Sequence, residues 1–192
     1  MYQRVIWASI LELMKDGEHV LHIDTDAFVF SDPWNLFNDR LYQEADLGAS
    51  CDCFGPGCAE FGCSLNPGVM FFRNSDPMRS VVKTILGFWE TGKAPTDAHH
   101  KSDMFMLNQL AVDHGNCKFE KSKSGIRHGT CSGLKNLSIA LFQHINRGHT
   151  CGPDPDSPDH AEACRKSGTV MVHARNGFEV RVCTVAPALP LR

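Results

Sequence analysis

Two aspartates separated by one residue, Asp24 and Asp26, interrupt the apolar stretch EHVLHIDTDAFVFSDPWNLF at residues 18–37. Side chains two apart on a strand point to the same side. At the carboxyl end of a strand such a pair can therefore face one crevice, which is where open α/β sheets take up ligands. Two carboxylates at that mouth repel each other unless a hard divalent cation compensates them, and an all-oxygen pair suits Mg2+ or Mn2+ bridging to phosphate. The plainer reading of the same spacing is that Asp24 opens a turn and Asp26 is solvated.

The elements that would position the pair can be read from either side of it. Ahead of it, MYQRVIWASILELMKDG sets Ile6, Ile10, Leu13 and Met14 at helical spacing, with Gly17 where a helix would end. Residues 20–23 read as a buried strand, and HVLHIDTDAFVFSDP as that strand continued. GVMFFR at 68–73 reads as another strand, and DPMRSVVKTILGFWETG as a helix opening near Asp76-Pro77 with acid and proline in its first turn. HKSDMFMLNQLAVDHG reads as a helix closed by Gly115, and LSIALF at 137–142 and TVMVHA at 169–174 read as short strands. Between these last two, residues 146–166 are rich in Pro, Gly and Asp and read as a loop. Strands alternating with helices imply an α/β layered architecture. No repeat or composition shift divides residues 1–192, which read as a single domain. Because it opens on a core-packing helix, that domain is expected to be a piece of a longer catalytic domain.

Composition bounds the function classes. With 42% hydrophobic and 21% charged residues the chain has the make-up of an ordinary globular domain. A net charge of −3 and a longest basic run of only KFEKSK, at 118–123, argue against nucleic-acid binding. The first 17 residues are interrupted by Arg4, Glu12, Lys15 and Asp16, which fits neither a signal peptide nor a membrane span. Nine cysteines are present, four of them crowded as Cys51, Cys53, Cys58 and Cys63 in CDCFGPGCAEFGC. In an oxidising lumen they would form disulfides, and in the cytosol metal ligands or small apolar residues, although the paired C-x2-C knuckles of strong zinc sites are missing. The sequon Asn136-Leu137-Ser138 suits a secretory chain.

In order along the chain stand RVIWASILELMKDG, HVLHIDTDAFVFSDP, LNPGVMFFRNSDPMRSVVKTILGFW, SDMFMLNQL and MVHARNG. This succession resembles the nucleotide-diphospho-sugar transferase family, in the group that includes plant and algal xylosyl- and arabinosyltransferases. The family pattern is a helix ending in a leucine/glycine turn, a D-x-D strand running into DP, an N-T-G-F-F-F strand, a D-Q-x-x-x-N helix and a late histidine. The likeness covers most of residues 4–110 and returns as a short motif around His173. It implies a GT-A-like, Rossmann-like mixed sheet flanked by helices, with the first nucleotide-binding strands expected to precede residue 1. The cysteine-rich insertion between the D-x-D and NPG is not part of that pattern.

The resemblance also implies roles. Asp24 and Asp26 would bind the metal and the diphosphate of a UDP-sugar, Asp26 as the direct ligand and Asp24 toward the sugar and ribose. His173 would complete the metal shell, and an imidazole beside carboxylates favours Mn2+ over Mg2+. Asn66 and Gly68 fall on N-T-G, with Pro67 in place of threonine, and would contact the donor. Asp103 and Asn108 fall on D-Q-x-x-x-N, with Met104 in place of glutamine, and would be the catalytic pair, Asp103 near the reacting carbon. Without the family, NPG reads as a turn before a strand, Asp103 as an acid in a helix's first turn, and His173 as one of ten histidines. The implied activity is metal-dependent, retaining transfer from a UDP-sugar to a hydroxyl of a glycan or glycoprotein in the Golgi lumen or secretory pathway. Two other readings remain open. One is a non-catalytic or truncated transferase-like protein. The other is a haloacid-dehalogenase-type phosphatase, which needs a later acidic pair that this sequence lacks.

Overall fold

The computed structural model describes residues 2–25, 27–29, 32–52, 56–92, 102–142, 145–147 and 171–173, the last two segments by backbone course. Helix α1 (Tyr2–Lys15) buries Trp7, Ile10 and Met14. Leu13, expected on the same face, is 45% exposed, because the buried stripe is centred on Trp7 and Met14 and leaves Leu13 at its margin. Gly17 ends the helix as expected, with φ +94°. Its N–H bonds to the Met14 carbonyl at 3.2 Å and that of Glu18 to Leu13 at 3.1 Å, the pair of bonds that defines a Schellman motif.

Beyond α1 run β1 (Val20–Ile23), β2 (Ala27–Val29), α2 (Arg40–Glu44), β3 (Leu47–Asp52), α3 (Pro56–Phe61) and β4 (Ser64–Phe72). These are followed by α4 (Asp76–Thr91), α5 (Asp103–Leu110), β5 (Cys117–Lys121), β6 (Arg127–Cys131), β7 (Leu137–Leu141), β8 (Ile145–Arg147) and β9 (Met171–His173). Six strands form a mixed sheet in the order β1-β4-β3-β7-β6-β5, in which β3 and β7 are parallel and the other pairs antiparallel. A second sheet has the order β2-β9-β8. The mixed sheet with flanking helices is the architecture that the resemblance implies.

Alternation along the strands divides the core in two. Met70 and Phe72 of β4 join Leu47 of β3, Ile139 of β7, and α1, α4 and α5 on one side. Val69 and Phe71 join Ala140, Phe142 and Tyr42 on the other. Helix α4 contributes Met78, Val81, Val82, Ile85 and Leu86, one continuous apolar face, and is capped by the Ser75 hydroxyl at one end and left-handed Gly92 at the other. Helix α5 continues through a π-helical turn to Gly115, and the left-handed residue that ends it is Asn116.

Two expectations are corrected. Residues 19–33 do not form one strand: β1 stops at Ile23, and the Ala27 N–H closes a turn on the Asp24 carbonyl at 3.0 Å, sending β2 into the second sheet. Within the expected loop at 146–166, Asn146 and Arg147 belong to β8, and residues 148–166 lie outside the described residues. Among the described residues four cysteines form disulfides, Cys51–Cys63 joining the chain just ahead of β4 to β3 and Cys117–Cys131 joining β5 to β6. Among the described residues no three His, Cys, Asp or Glu side chains converge as for a metal, and no helix is long and apolar enough to cross a membrane.

Candidate functional site

Asp24 sits where the chain leaves the main sheet. Its N–H bonds to the Gly68 carbonyl at 2.8 Å, extending the β1–β4 pairing by one residue, while its own carbonyl anchors the turn to Ala27. Opposite it, β4 bulges. Register with β3 passes from Ala49↔Met70 to Ser50↔Asn66, so Pro67, Gly68 and Val69 have no partner on β3. An odd number of extra residues reverses which side faces in. Leu65 thereby lies in the same core layer as Met70 and Phe72. Proline is tolerated here because a bulged residue needs no ladder donor. The Asn66 side-chain oxygen accepts the Gly68 N–H at 2.8 Å, and its carbonyl accepts the Ser50 hydroxyl at 3.2 Å. NPG is thus a bulge within a strand, and it holds the carbonyl on which Asp24 hangs.

Asp103 approaches the same end of the sheet from the first turn of α5, after the N-cap Ser102. It is 7% exposed. Its carboxylate accepts from Gln3 Nε2 at 3.1 Å, Trp7 Nε1 at 3.3 Å and its neighbour Met104 N–H at 2.8 Å. Burial raises its pKa above the usual carboxylate range, the Trp7 and Met104 bonds oppose that rise, and nearby Asp24 and His22 push it in opposite directions. Asn108, one turn further on, is completely buried. Its side chain accepts the Leu65 N–H at 2.8 Å and donates to the carbonyls of Leu65 at 2.8 Å and Met104 at 2.7 Å. It therefore pairs with the Leu65 peptide as a neighbouring strand would, fixing α5 against β4 one residue before Asn66. Gly57 of α3 closes over it, and a Cβ there would lie 2.5 Å from the Asn108 oxygen.

Asp24, Asn66, Gly68, Asp103 and Asn108 are thus drawn around one end of β1 and the β4 bulge. Asp26 and the side chain of His173 lie outside the described residues, but the course of the backbone bears on both. Strand β2 pairs antiparallel with β9 so that Ala27 stands opposite His173, which brings the late histidine's backbone alongside the D-x-D turn. Three groups go unflagged by the sequence motifs. His22 Nε2 donates to the Asp24 carboxylate at 2.9 Å, the two lying on the same side of β1, and Gln3 and Trp7 hold Asp103. His22 had a signal in its place two residues before Asp24. Gln3 and Trp7 had none, being about a hundred residues from their partner.

Oxygen ligands from Asp24 and Asp26 with an imidazole from residue 173 would make a donor set that suits Mn2+ or Mg2+, and the Ala27–His173 backbone register is compatible with it. A family model described as nucleotide-diphospho-sugar transferase matches residues 3–178. No curated protein and no solved structure matches the chain significantly.

Proposed function

Because this chain belongs to the nucleotide-diphospho-sugar transferase family, we propose that it transfers the sugar of a UDP-sugar to an acceptor hydroxyl with retention of configuration, using a divalent cation at the Asp24–Asp26 turn. The observation that supports this reading best is the backbone pairing of Ala27 with His173, which sets the last motif of the chain beside the D-x-D. Asp24, Asp26 and His173 would hold Mn2+, or Mg2+. Bound there, the cation would offset the negative charge that develops on the departing diphosphate.

The rest falls to the protein's own residues. Gly68 fixes the Asp24 backbone, and Asn66 fixes Gly68, so the turn that meets the diphosphate is held before the donor arrives. Asp103 already accepts three hydrogen bonds, which fix its carboxyl group in place, so its contribution near the anomeric carbon is electrostatic. Asn108 acts as a positioning residue through Leu65. In the transfer the bond from the anomeric carbon to the diphosphate oxygen breaks and one to the acceptor oxygen forms on the same face. The acceptor proton passes to the leaving diphosphate, so no separate base is required. The acceptor is a glycan or glycoprotein, and the two disulfides suit an oxidising compartment such as the Golgi lumen.

UDP release from a panel of UDP-sugars, with and without Mn2+, tests the reading. Metal-dependent release with one donor, lost in Asp26→Ala, is the expected result. Release that proceeds equally in EDTA would overturn it.

A further inference from the structure

The one basic run in the sequence, KFEKSK, lies on the β5–β6 hairpin, which forms the edge of the main sheet opposite β1. Residues 117–135 hold five of the chain's 19 Lys and Arg (Lys118, Lys121, Lys123, Arg127 and Lys135) but only one of its 22 Asp and Glu, Glu120. This segment therefore carries +4 in a chain whose remaining 14 basic and 21 acidic residues sum to −7. All four lysines are exposed, and among the described residues none of them forms an ion pair with an acid. Arg127 is bonded to the carbonyls of Phe61 and Gly62, and the Glu120 carboxylate lies 3.7 Å from His128 Nε2. Lysine on an edge strand discourages pairing with other chains. That explains Lys118 and Lys121, but not Lys123 in the turn or Lys135 beyond β6.

Beside Lys118 is a cleft of about 280 Å³ lined also by Phe119, Glu120, His128, Gly129 and Thr130, near the lower limit of small-ligand sites, about 300 Å³. It offers the ammonium of Lys118, the imidazole of His128 and the hydroxyl of Thr130 to a sugar and its acid, with the Glu120 carboxylate beside them as an acceptor for sugar hydroxyls. Five strand spacings separate β5 from β1, roughly 24 Å at about 4.8 Å each. A ligand that touches both the hairpin and the D-x-D turn must be an extended chain.

We propose that the β5–β6 hairpin is a docking surface for an acidic glycan, a carbohydrate chain bearing carboxylate or sulfate groups, and that it holds an acceptor of this kind while the acceptor's end reaches the D-x-D turn. The acceptor role rests on the transferase reading above, whereas the docking surface stands on the hairpin's charge alone. At physiological ionic strength charges are screened beyond about 8 Å, so the lysines act at contact range and the interaction weakens with salt.

The test is binding of the full chain to immobilised dextran sulfate, polygalacturonate and neutral dextran, at about 0.05 M and about 0.5 M NaCl. It is run beside the triple variant Lys118→Gln/Lys121→Gln/Lys123→Gln, whose exposed positions leave the fold intact as checked by circular dichroism. The expected result is salt-sensitive binding to the charged polymers and not to dextran, weakened at least about tenfold in the variant. The preferred polymer then identifies the acid. Equal binding to neutral dextran, unchanged binding by the variant, or retention on anionic phosphatidylserine vesicles in place of the polysaccharides would overturn the proposal. UDP binding by the variant, measured in parallel, is expected to be unchanged, so failure of the docking surface and failure of the transferase reading give different results.

Discussion

Asp103 is ionisable in a place that opposes ionisation, and this has a measurable consequence. Its folded-state pKa is raised, chiefly by burial, above the ordinary value of about 3.9. Between the two values the folded protein binds the proton more often than the unfolded chain. The stability contributed by this group is therefore fully present below about pH 3.9 and lost as pH rises through the raised value. The thermal midpoint of the wild type relative to Asp103→Asn, which removes this titration, is predicted to rise as the pH is lowered from neutral toward about 4. A difference that stays constant with pH would contradict it. Asn108 gives a second residue-level expectation. Asn108→Ala leaves the Leu65 N–H and carbonyl unpaired in the interior, at about 1–3 kcal/mol for each, so urea unfolding is predicted to show a loss of about 2–6 kcal/mol. A loss below about 1 kcal/mol would mean that other groups take over this pairing.

At the scale of elements, the Cys117–Cys131 disulfide closes a short loop across the β5–β6 hairpin, with a sequence separation of 14. Replacing both cysteines by alanine is predicted to lower stability by about 3 kcal/mol, read from denaturant midpoints, while leaving nucleotide binding at the far edge unchanged. Gly17→Ala, at φ +94°, is predicted to cost about 1 kcal/mol by the same measurement. Elements whose signals are local could be read from the sequence. Ser75, Asp76, Pro77 and Gly92 bracket α4, and Met78, Val81, Val82, Ile85 and Leu86 recur at helical spacing on its buried face. Elements defined by pairing could not. Apolar residues stand on both sides of Asp24-Thr25-Asp26, so periodicity runs through a turn that only the separation of two sheets reveals. The bulge at residues 67–69 exists only in relation to β3, and β5 and β6 are short and polar, with little alternation to mark them.

For the molecule as a whole, the order of motifs carried more than any single motif. Asp24, Asn66, Gly68, Asp103 and Asn108, distributed over 85 residues, meet around the end of β1 because β4 pairs with β1 and α5 is pinned to β4 through Leu65. The sequence could not show how Asp103 is held, since Gln3 and Trp7 reach it from the opposite end of this region. The backbone pairing of Ala27 and His173 sets the late motif beside the D-x-D, and a nucleotide diphosphate is predicted to bind there through a cation. The most direct measurement is isothermal titration of UDP into the purified chain, with and without Mn2+, alongside Asp26→Ala. Binding that requires Mn2+ and vanishes in a folded Asp26→Ala protein is the predicted result. Absence of binding in every condition, or binding indifferent to both metal and substitution, would contradict it.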